Sequence, residues 1–297
     1  MSLLKITNDY VFKRIFGQKK NSDILKDLLQ AILTDIEISS IKVNQEVSLE
    51  RQLMTDKLGI LDIVATLNNG IKVNIEMQVK DYHNTVDRSV FYESGIFHEN
   101  LDKNEDYLQI PQAIGIWILN YDIFDSGPFH EIARLKRDYE NIVLTDKVEI
   151  HYIQLPKFKK KCKRISNKLE EWLSFISCKN LEEISMIENE YVKKAEEELE
   201  YLSGDAAERR LAELREKAIR DEAAAMAGAT RRGIEHGIKQ GMKRGLKQGR
   251  EEGRKEGKEE GREVEKIQIA KKMLEKHIDI NTIIEVTGLT KEKIESL

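Results

Sequence analysis

The chain has 297 residues, 40% hydrophobic and 34% charged, with a formal net charge of −4, so it can bury a core but carries more charge than one compact domain normally shows. No apolar run reaches the roughly 18 residues that span a bilayer, MSLLKITNDY lacks a signal-peptide core, and Cys162 and Cys178 have no CxxC or Cys/His ligand spacing. Membrane, disulfide-scaffold and zinc-module classes drop out, a cytoplasmic location is expected, and nucleic-acid binding has to rest on local patches. Asn8 to Phe16 reads as a short helix, capped by Asn8 or Asp9, with Val11, Phe12, Ile15 and Phe16 on its apolar side. Asp9 is also a candidate acid near a metal or substrate, with capping the preferred reading. Asn21 or Ser22 caps a second helix, Asp23 to Leu33, where Ile24, Leu25, Leu28, Leu29 and Ile32 recur at helical spacing. Ile41 to Leu49 then alternates as a first strand, with Glu46 facing solvent.

Asp56 to Lys80, DKLGILDIVATLNNGIKVNIEMQVK, reads as a β-hairpin in which two apolar, β-branched runs flank Asn68-Asn69-Gly70. A three-residue loop with Gly70 in the left-handed position sets Leu67 against Ile71 and Asp62 against Glu76. Leu61, Ile63, Ala65, Leu67, Ile71, Val73, Ile75, Met77 and Val79 then share one face. Asp62, Thr66, Lys72, Asn74, Glu76, Gln78 and Lys80 share the other. A two-residue loop would put Asp62 opposite Met77 and mix the faces, because a one-residue slip inverts every side chain. Facing carboxylates repel, and a divalent cation is a common reason for them; Mg²⁺ is usually held by one or two carboxylates with waters and substrate phosphates. The Gln78 amide and Lys80 ammonium would lie nearby, and a water could be oriented there for attack on phosphorus. A solvated face on an edge hairpin gives the same pattern, and spacing alone does not choose.

The arrangement D-x13-E-x-Q, with an apolar strand around each acid, resembles the PD-(D/E)XK nuclease superfamily in the variant where Gln replaces Lys. More narrowly, TNDYVFKRIFG (Thr7 to Gly17), the LDIVA and NIEMQVK strands and DRSVFYES (Asp87 to Ser94) resemble, in this order, the Rpn family of recombination-promoting nucleases, also described as transposase-like. The likeness covers the first third of the chain, and a glycine-repeat tail is common in that family. It implies an α/β fold with an αβββαβ core and mixed sheet, followed by an α-helical C-terminal region. It also implies Asp62 and Glu76 as metal ligands beside the backbone carbonyl of Met77, Gln78 as the third signature residue, Mg²⁺ or another divalent cation, and DNA as substrate. The chain departs from the superfamily in two ways: Leu61 rather than a proline precedes Asp62, and the lysine is absent. Glutamine orients a water but carries no charge and is no base. Lys80 is the candidate to supply that charge, so the expected catalytic set is Asp62, Glu76, Gln78 and Lys80.

Past the hairpin, Asp81 to Asn84 forms a loop into a helix from Thr85 to Leu101, whose Arg88 and Tyr92 share a face at i and i+4. Arg88 either grips a substrate phosphate or pairs with a site carboxylate, and Tyr92 either hydrogen-bonds backbone or water or simply packs. His83 is a lone loop histidine. Ala113 to Asn120, AIGIWILN, is a buried central strand that completes the core. His130 to Arg137 and Val148 to Leu155 extend the sheet as another pair, with His130 and His151 on strand surfaces. Lys157, Lys159, Lys160, Lys161, Lys163 and Arg164 form a basic run, either a foothold for DNA backbone or a solvated linker.

Strands then disappear. Asn167 to Leu202 reads as helices with Leu169, Trp172, Leu173, Phe175 and Ile176 as a packing face, and Ala206 to Ala229 is strongly helix-favouring. Gly233, Gly237, Gly241, Gly245, Gly249, Gly253, Gly257 and Gly261 follow at a period of four. Each costs a helix about 1 kcal/mol relative to alanine, so something has to compensate. Arg231, Arg232, Lys239, Lys243, Arg244, Lys247 and Arg250 against Glu235 make the first half basic. Self-association through the glycines is preferred over a DNA-tracking arm or a loosely ordered segment, and gives a homo-oligomer, a dimer whose twofold-related sites suit antiparallel strands. Gly288 and Thr290 mark a turn and restart near the end. INTIIEVTGLTKEKIESL bears a faint likeness to a helix-turn-helix, but its short second helix favours a structural end-cap. The expected organisation is a nuclease-like domain over 1–160, a helical region over 161–229, the glycine repeat over 230–263 and a small helical module over 264–297. The expected activity is metal-dependent DNA endonuclease, in recombination or in mobile-element or defence-related DNA processing; the rival is a non-catalytic DNA-binding or oligomerising protein on a degenerate nuclease fold.

Overall fold

Asn8, in extended conformation, accepts hydrogen bonds from the N–H groups of Tyr10 and Val11 and so starts α1 (Asp9–Phe16). The computed structural model describes residues 3–44, 62–100, 106–178 and 187–297. Val11, Phe12, Ile15 and Phe16 are buried as their spacing predicts, and Phe16 meets Trp172 edge-on at 5.6 Å. In α2 (Ser22–Ile32) the buried residues include Ile24, Leu25, Leu28, Leu29 and Ile32. Asn21 does not cap this helix through its side chain; its Nδ2 donates to the Ile15 carbonyl at 2.8 Å.

A six-stranded mixed sheet runs β1-β2-β3-β4-β8-β5. Its strands are β1 (Ile41–Asn44), β2 (Ile63–Leu67), β3 (Lys72–Gln78), β4 (Ala113–Leu119), β5 (His130–Arg134) and β8 (Val148–Gln154). The β1-β2-β3 meander and the β5-β8 pair are antiparallel, while β3, β4 and β8 are mutually parallel neighbours. Helix α3 (Thr85–Glu99) supplies the crossover that a parallel β3-β4 pair requires. The Asn68–Gly70 turn has Gly70 at φ +76°, and the Leu67 N–H donates to the Ile71 carbonyl at 2.8 Å, so the loop has three residues. The pairs Ile63↔Ile75 and Thr66↔Lys72 extend to Asp62 across from Glu76. Leu61, Glu46 and the far end of the expected first strand lie outside the described residues.

The reading of the polar face as a solvated edge does not hold. β2 and β3 are interior strands, and Asn74 and Glu76 are 0% and 1% exposed. α3 covers that face together with a second apolar cluster containing Val64, Tyr92, Ile96, Trp117 and Tyr152. The other face packs on a larger cluster that joins α1 and α2 to α5 (Lys168–Ser177), α6 (Glu190–Gly204) and the first turns of α7 (Ala206–Glu275). Buried Asp27 ties these helices together by accepting from Trp172 Nε1 at 3.0 Å, Asn189 Nδ2 at 2.9 Å and Lys168 Nζ at 3.3 Å.

Two expectations for the middle of the chain change. The sheet strand predicted over His130 to Arg137 stops at Arg134, and Lys136–Arg137 instead forms β6, paired with β7 (Ile142–Val143) in a separate two-stranded sheet. The first part of the basic run is not a linker, because α4 (Leu155–Lys161) forms there with Pro156 in its first turn, and Lys159, Lys160, Lys161, Lys163 and Arg164 stay exposed. Lys157 is buried and donates to the Ser126 carbonyl, Lys160 pairs with Asp122 at 3.1 Å, and Lys161 donates to the Gly127 carbonyl.

The chain divides into compact units at Met1–Ile219 and Arg220–Leu297. In the second unit the glycine repeat is continuous α-helix, and apart from the adjoining residues and nearby backbone of the helix itself, nothing lies within 4 Å of a Cβ built on any of the repeat glycines from Gly233 to Gly261. The end of α7 packs with α8 (Ile280–Thr287) and α9 (Lys291–Glu295) around Ala270, Ile283, Leu289 and Ile294. Gly288, at φ +67°, turns the chain between them, and Thr290 caps the restart. Among the described residues no helix is long and apolar enough to cross a membrane.

Candidate active site

Asp62 stands one residue before β2, with its side chain 14% exposed, and Glu76 is nearly sealed. The two are stitched across the strand pair: the Asp62 N–H donates to Glu76 Oε1 at 3.2 Å, and the Met77 N–H donates to Asp62 Oδ2 at 3.0 Å. Because a strand residue presents its N–H and C=O to the same neighbour, the Met77 carbonyl is directed to that edge as well. Burial pushes the Glu76 carboxyl well above the usual carboxylate range, and the Asp62 charge adds to this against the Asp62 N–H and Arg88. Burial also raises Asp62, opposed by the Met77 N–H and Lys13. Desolvation and their facing positions oppose ionisation of both carboxyls, and a hard divalent ion is donor chemistry that relieves this. Among the described residues no group of three or more His, Cys, Asp or Glu is placed to hold a metal ion.

Gln78 donates from Nε2 to Glu76 Oε2 at 3.1 Å and accepts at Oε1 from Arg88 Nη1 at 3.2 Å. Arg88 lies over the rings of Tyr92 and Trp117, at 5.4 and 5.6 Å from their centroids, and its Nη2 donates to the Tyr92 hydroxyl at 3.4 Å. Thus Arg88 and Tyr92 do come from the first turns of α3 to the acids, with Arg88 joined to the site through Gln78 rather than through a carboxylate. Lys80 lies half-buried beyond the end of β3, and the described residues record no ion pair between it and either acid. Asp9 pairs with Arg215 of α7, and its charge raises the Asp62 carboxyl.

Two residues near the acids escaped the sequence reading. Lys13 places its Nζ 3.6 Å from Asp62 Oδ1. Its signal was there, on the polar side of an amphipathic helix at i+4 from Asp9. Glu93, on the inner face of α3, is fully buried, accepting from Asn74 Nδ2 at 3.1 Å, and burial raises its carboxyl to about 8, with Asn74 and Trp117 pulling it back only in part. Gly115 makes the room: a Cβ there would sit 2.5 Å from Glu93 Oε1. Nothing local in DRSVFYES separates this acid from an exposed one. Away from the site, His151 is buried rather than on a strand surface. Its Nδ1 is 2.8 Å from His130 Nε2 and its Nε2 is 2.6 Å from Glu149, and burial lowers His130 to about 4. His83 is exposed, at φ 57°, beside Asp81.

A family model described as PD-(D/E)XK nuclease family transposase matches residues 6–229, and one described as Rpn/YhgA-like nuclease family, C-terminal HTH domain, matches residues 263–297. The second match corrects the end-cap reading of the last stretch, whose short helix α9 follows a left-handed turn at Gly288 as the second part of a helix-turn-helix. No curated protein and no solved structure matches the chain. With the αβββαβ core, the Asp62–Glu76 pair on adjacent strands and a match over well more than half its length, the chain belongs to the PD-(D/E)XK nuclease family transposases, of the Rpn/YhgA-like kind.

Proposed function

We propose that this protein is a metal-dependent DNA endonuclease that hydrolyses phosphodiester bonds in recombination or in mobile-element or defence-related DNA processing. The observation that carries the reading is the pair of buried carboxyls, Asp62 and Glu76, held face to face where their own repulsion and desolvation oppose ionisation. Asp62, Glu76 and the Met77 carbonyl would hold the ion, Mg²⁺ by donor chemistry. When bound, the ion supplies Lewis-acid charge for phosphoryl oxygen and lowers the pKa of water. Gln78, held from both sides, fixes Glu76 and orients a water. Arg88 and Tyr92 meet a phosphate, Asp9 adds negative charge at the rim, and Lys80 lies along the approach. The C-terminal helix-turn-helix contacts DNA, and α7 associates with a second copy through its glycines. In this reading 1–160 is the nuclease-like part, 161–229 its helical region, 230–263 the repeat and 264–297 the DNA-contacting module.

Purified protein with Mg²⁺ is expected to nick plasmid DNA, and Asp62→Ala to leave it intact; equal cleavage by both would sink the assignment. A non-catalytic DNA-binding role is favoured by one observation, the uncharged Gln78 at the signature position. It predicts DNA retention without cleavage and no metal-induced shift in melting temperature.

A further inference from the structure

We infer that Lys13 of α1 is the ammonium of this catalytic centre, the charge that Gln78 cannot provide; the inference rests on the nuclease reading above. The geometry separates the two acids. Glu76 is engaged by Gln78 and, through it, Arg88, whereas the Asp62 side faces Lys13, with Nζ 3.6 Å from Oδ1. At that separation the contact is an ion pair and not a hydrogen bond, so the ammonium retains donors for a third group. The Lys13 side chain is 32% exposed, and among the described residues its one ion pair is with Asp62. It is therefore close to the buried acids and open to an incoming phosphodiester.

Its position is also fixed from behind. Four buried apolar residues lock α1 into the core, and polar contacts, among them the ion pair of Arg14 with Glu208, clamp it to the base of α7. Asn8 Nδ2 donates to the Ala212 carbonyl at 3.1 Å, the Tyr10 hydroxyl donates to Glu208 at 2.6 Å, and Asp9 pairs with Arg215. Lys13 offsets the buried Asp62 charge, and its own exposed end lies on the approach to both acids, where a counter-charge serves an incoming anion as well as the fold. During hydrolysis the water oxygen bonds to phosphorus, the bridging P–O bond breaks, the water's proton leaves to solvent and the departing alkoxide takes one from solvent. Negative charge builds on the phosphoryl oxygens meanwhile. Lys13 keeps its proton throughout and meets that charge as a preorganised donor.

The test compares the full chain with Lys13→Met and Lys13→Arg by single-turnover nicking of saturating plasmid DNA with Mg²⁺, with melting temperature and Mg²⁺-induced stabilisation measured on the same samples. Lys13→Met is expected to cut about 100-fold more slowly while it stays folded at the assay temperature and is still stabilised by Mg²⁺, and Lys13→Arg to recover most of the rate. Cutting by Lys13→Met at the unsubstituted rate overturns the role of Lys13, as does a rate loss that comes with unfolding at the assay temperature or with lost metal response. No cutting by the unsubstituted chain overturns the nuclease reading itself, and this inference with it.

Discussion

In the unit Met1–Ile219, Asn74 and Glu76 of the sheet and Glu93 of α3 are shut between helix and sheet, and each is held by a named neighbour; in the unit Arg220–Leu297, eight glycines and the charges between them face solvent along α7. Both regions are rich in polar residues, but burial gives those residues different meanings. A buried carboxyl opposes folding unless paired, so its presence calls for a chemical reason. An exposed charge on a helix costs almost nothing and carries little information by itself.

The sharpest break of this contrast is Glu76→Gln. Under the proposed metal-dependent reading, plasmid nicking is expected to fall by about a thousandfold or more, while the metal-free protein melts higher because a buried acid is gone; a lower melting temperature would make Glu76 a structural residue. Asp27→Ala is expected to cost about 3 kcal/mol in urea unfolding, because Trp172 and Asn189 lose a buried charged acceptor. A cost near zero would mean that the helices α5 and α6 are held by apolar packing alone.

Glu93 gives a pH test. Its folded value, about 8, lies above the ordinary carboxylate range, so the folded chain keeps a proton that the unfolded chain releases. Its contribution to stability is thus fully present below that ordinary range and is lost as pH rises through about 8, by about 1.4 kcal/mol per pH unit. Unfolding free energies of Glu93→Gln, taken over the same pH series, are expected to lack this decline; parallel curves for the two chains would place the proton elsewhere. The smallest effect lies in the other unit. Gly237→Ala and Gly245→Ala meet nothing within 4 Å apart from adjoining residues and nearby backbone of the helix itself, and each is expected to stabilise α7 by about 1 kcal/mol in a circular-dichroism melt. If the glycines pack against a second copy, sedimentation would instead report a weaker oligomer, and the two regions would be less different than their exposure suggests.

What could be read from the sequence was what repeats locally. Alternation along the hairpin, with the left-handed preference of Gly70, already determined that Asp62 faces Glu76, since strand register follows from which face is buried. The apolar side of α1, the crossover helix carrying Arg88 and Tyr92, and the turn at Gly288 were legible for the same reason. Tertiary structure alone decided what depends on residues distant in the chain. Lys13 reaches Asp62 because α1 packs beside the sheet, and Glu93 is sealed because Gly115 leaves room opposite it. Lys157 and Lys160 meet their partners across chain folds. Each is an ordinary charged residue until a distant segment removes its water or supplies its counter-charge, and neither burial nor long-range pairing has a local period in the sequence.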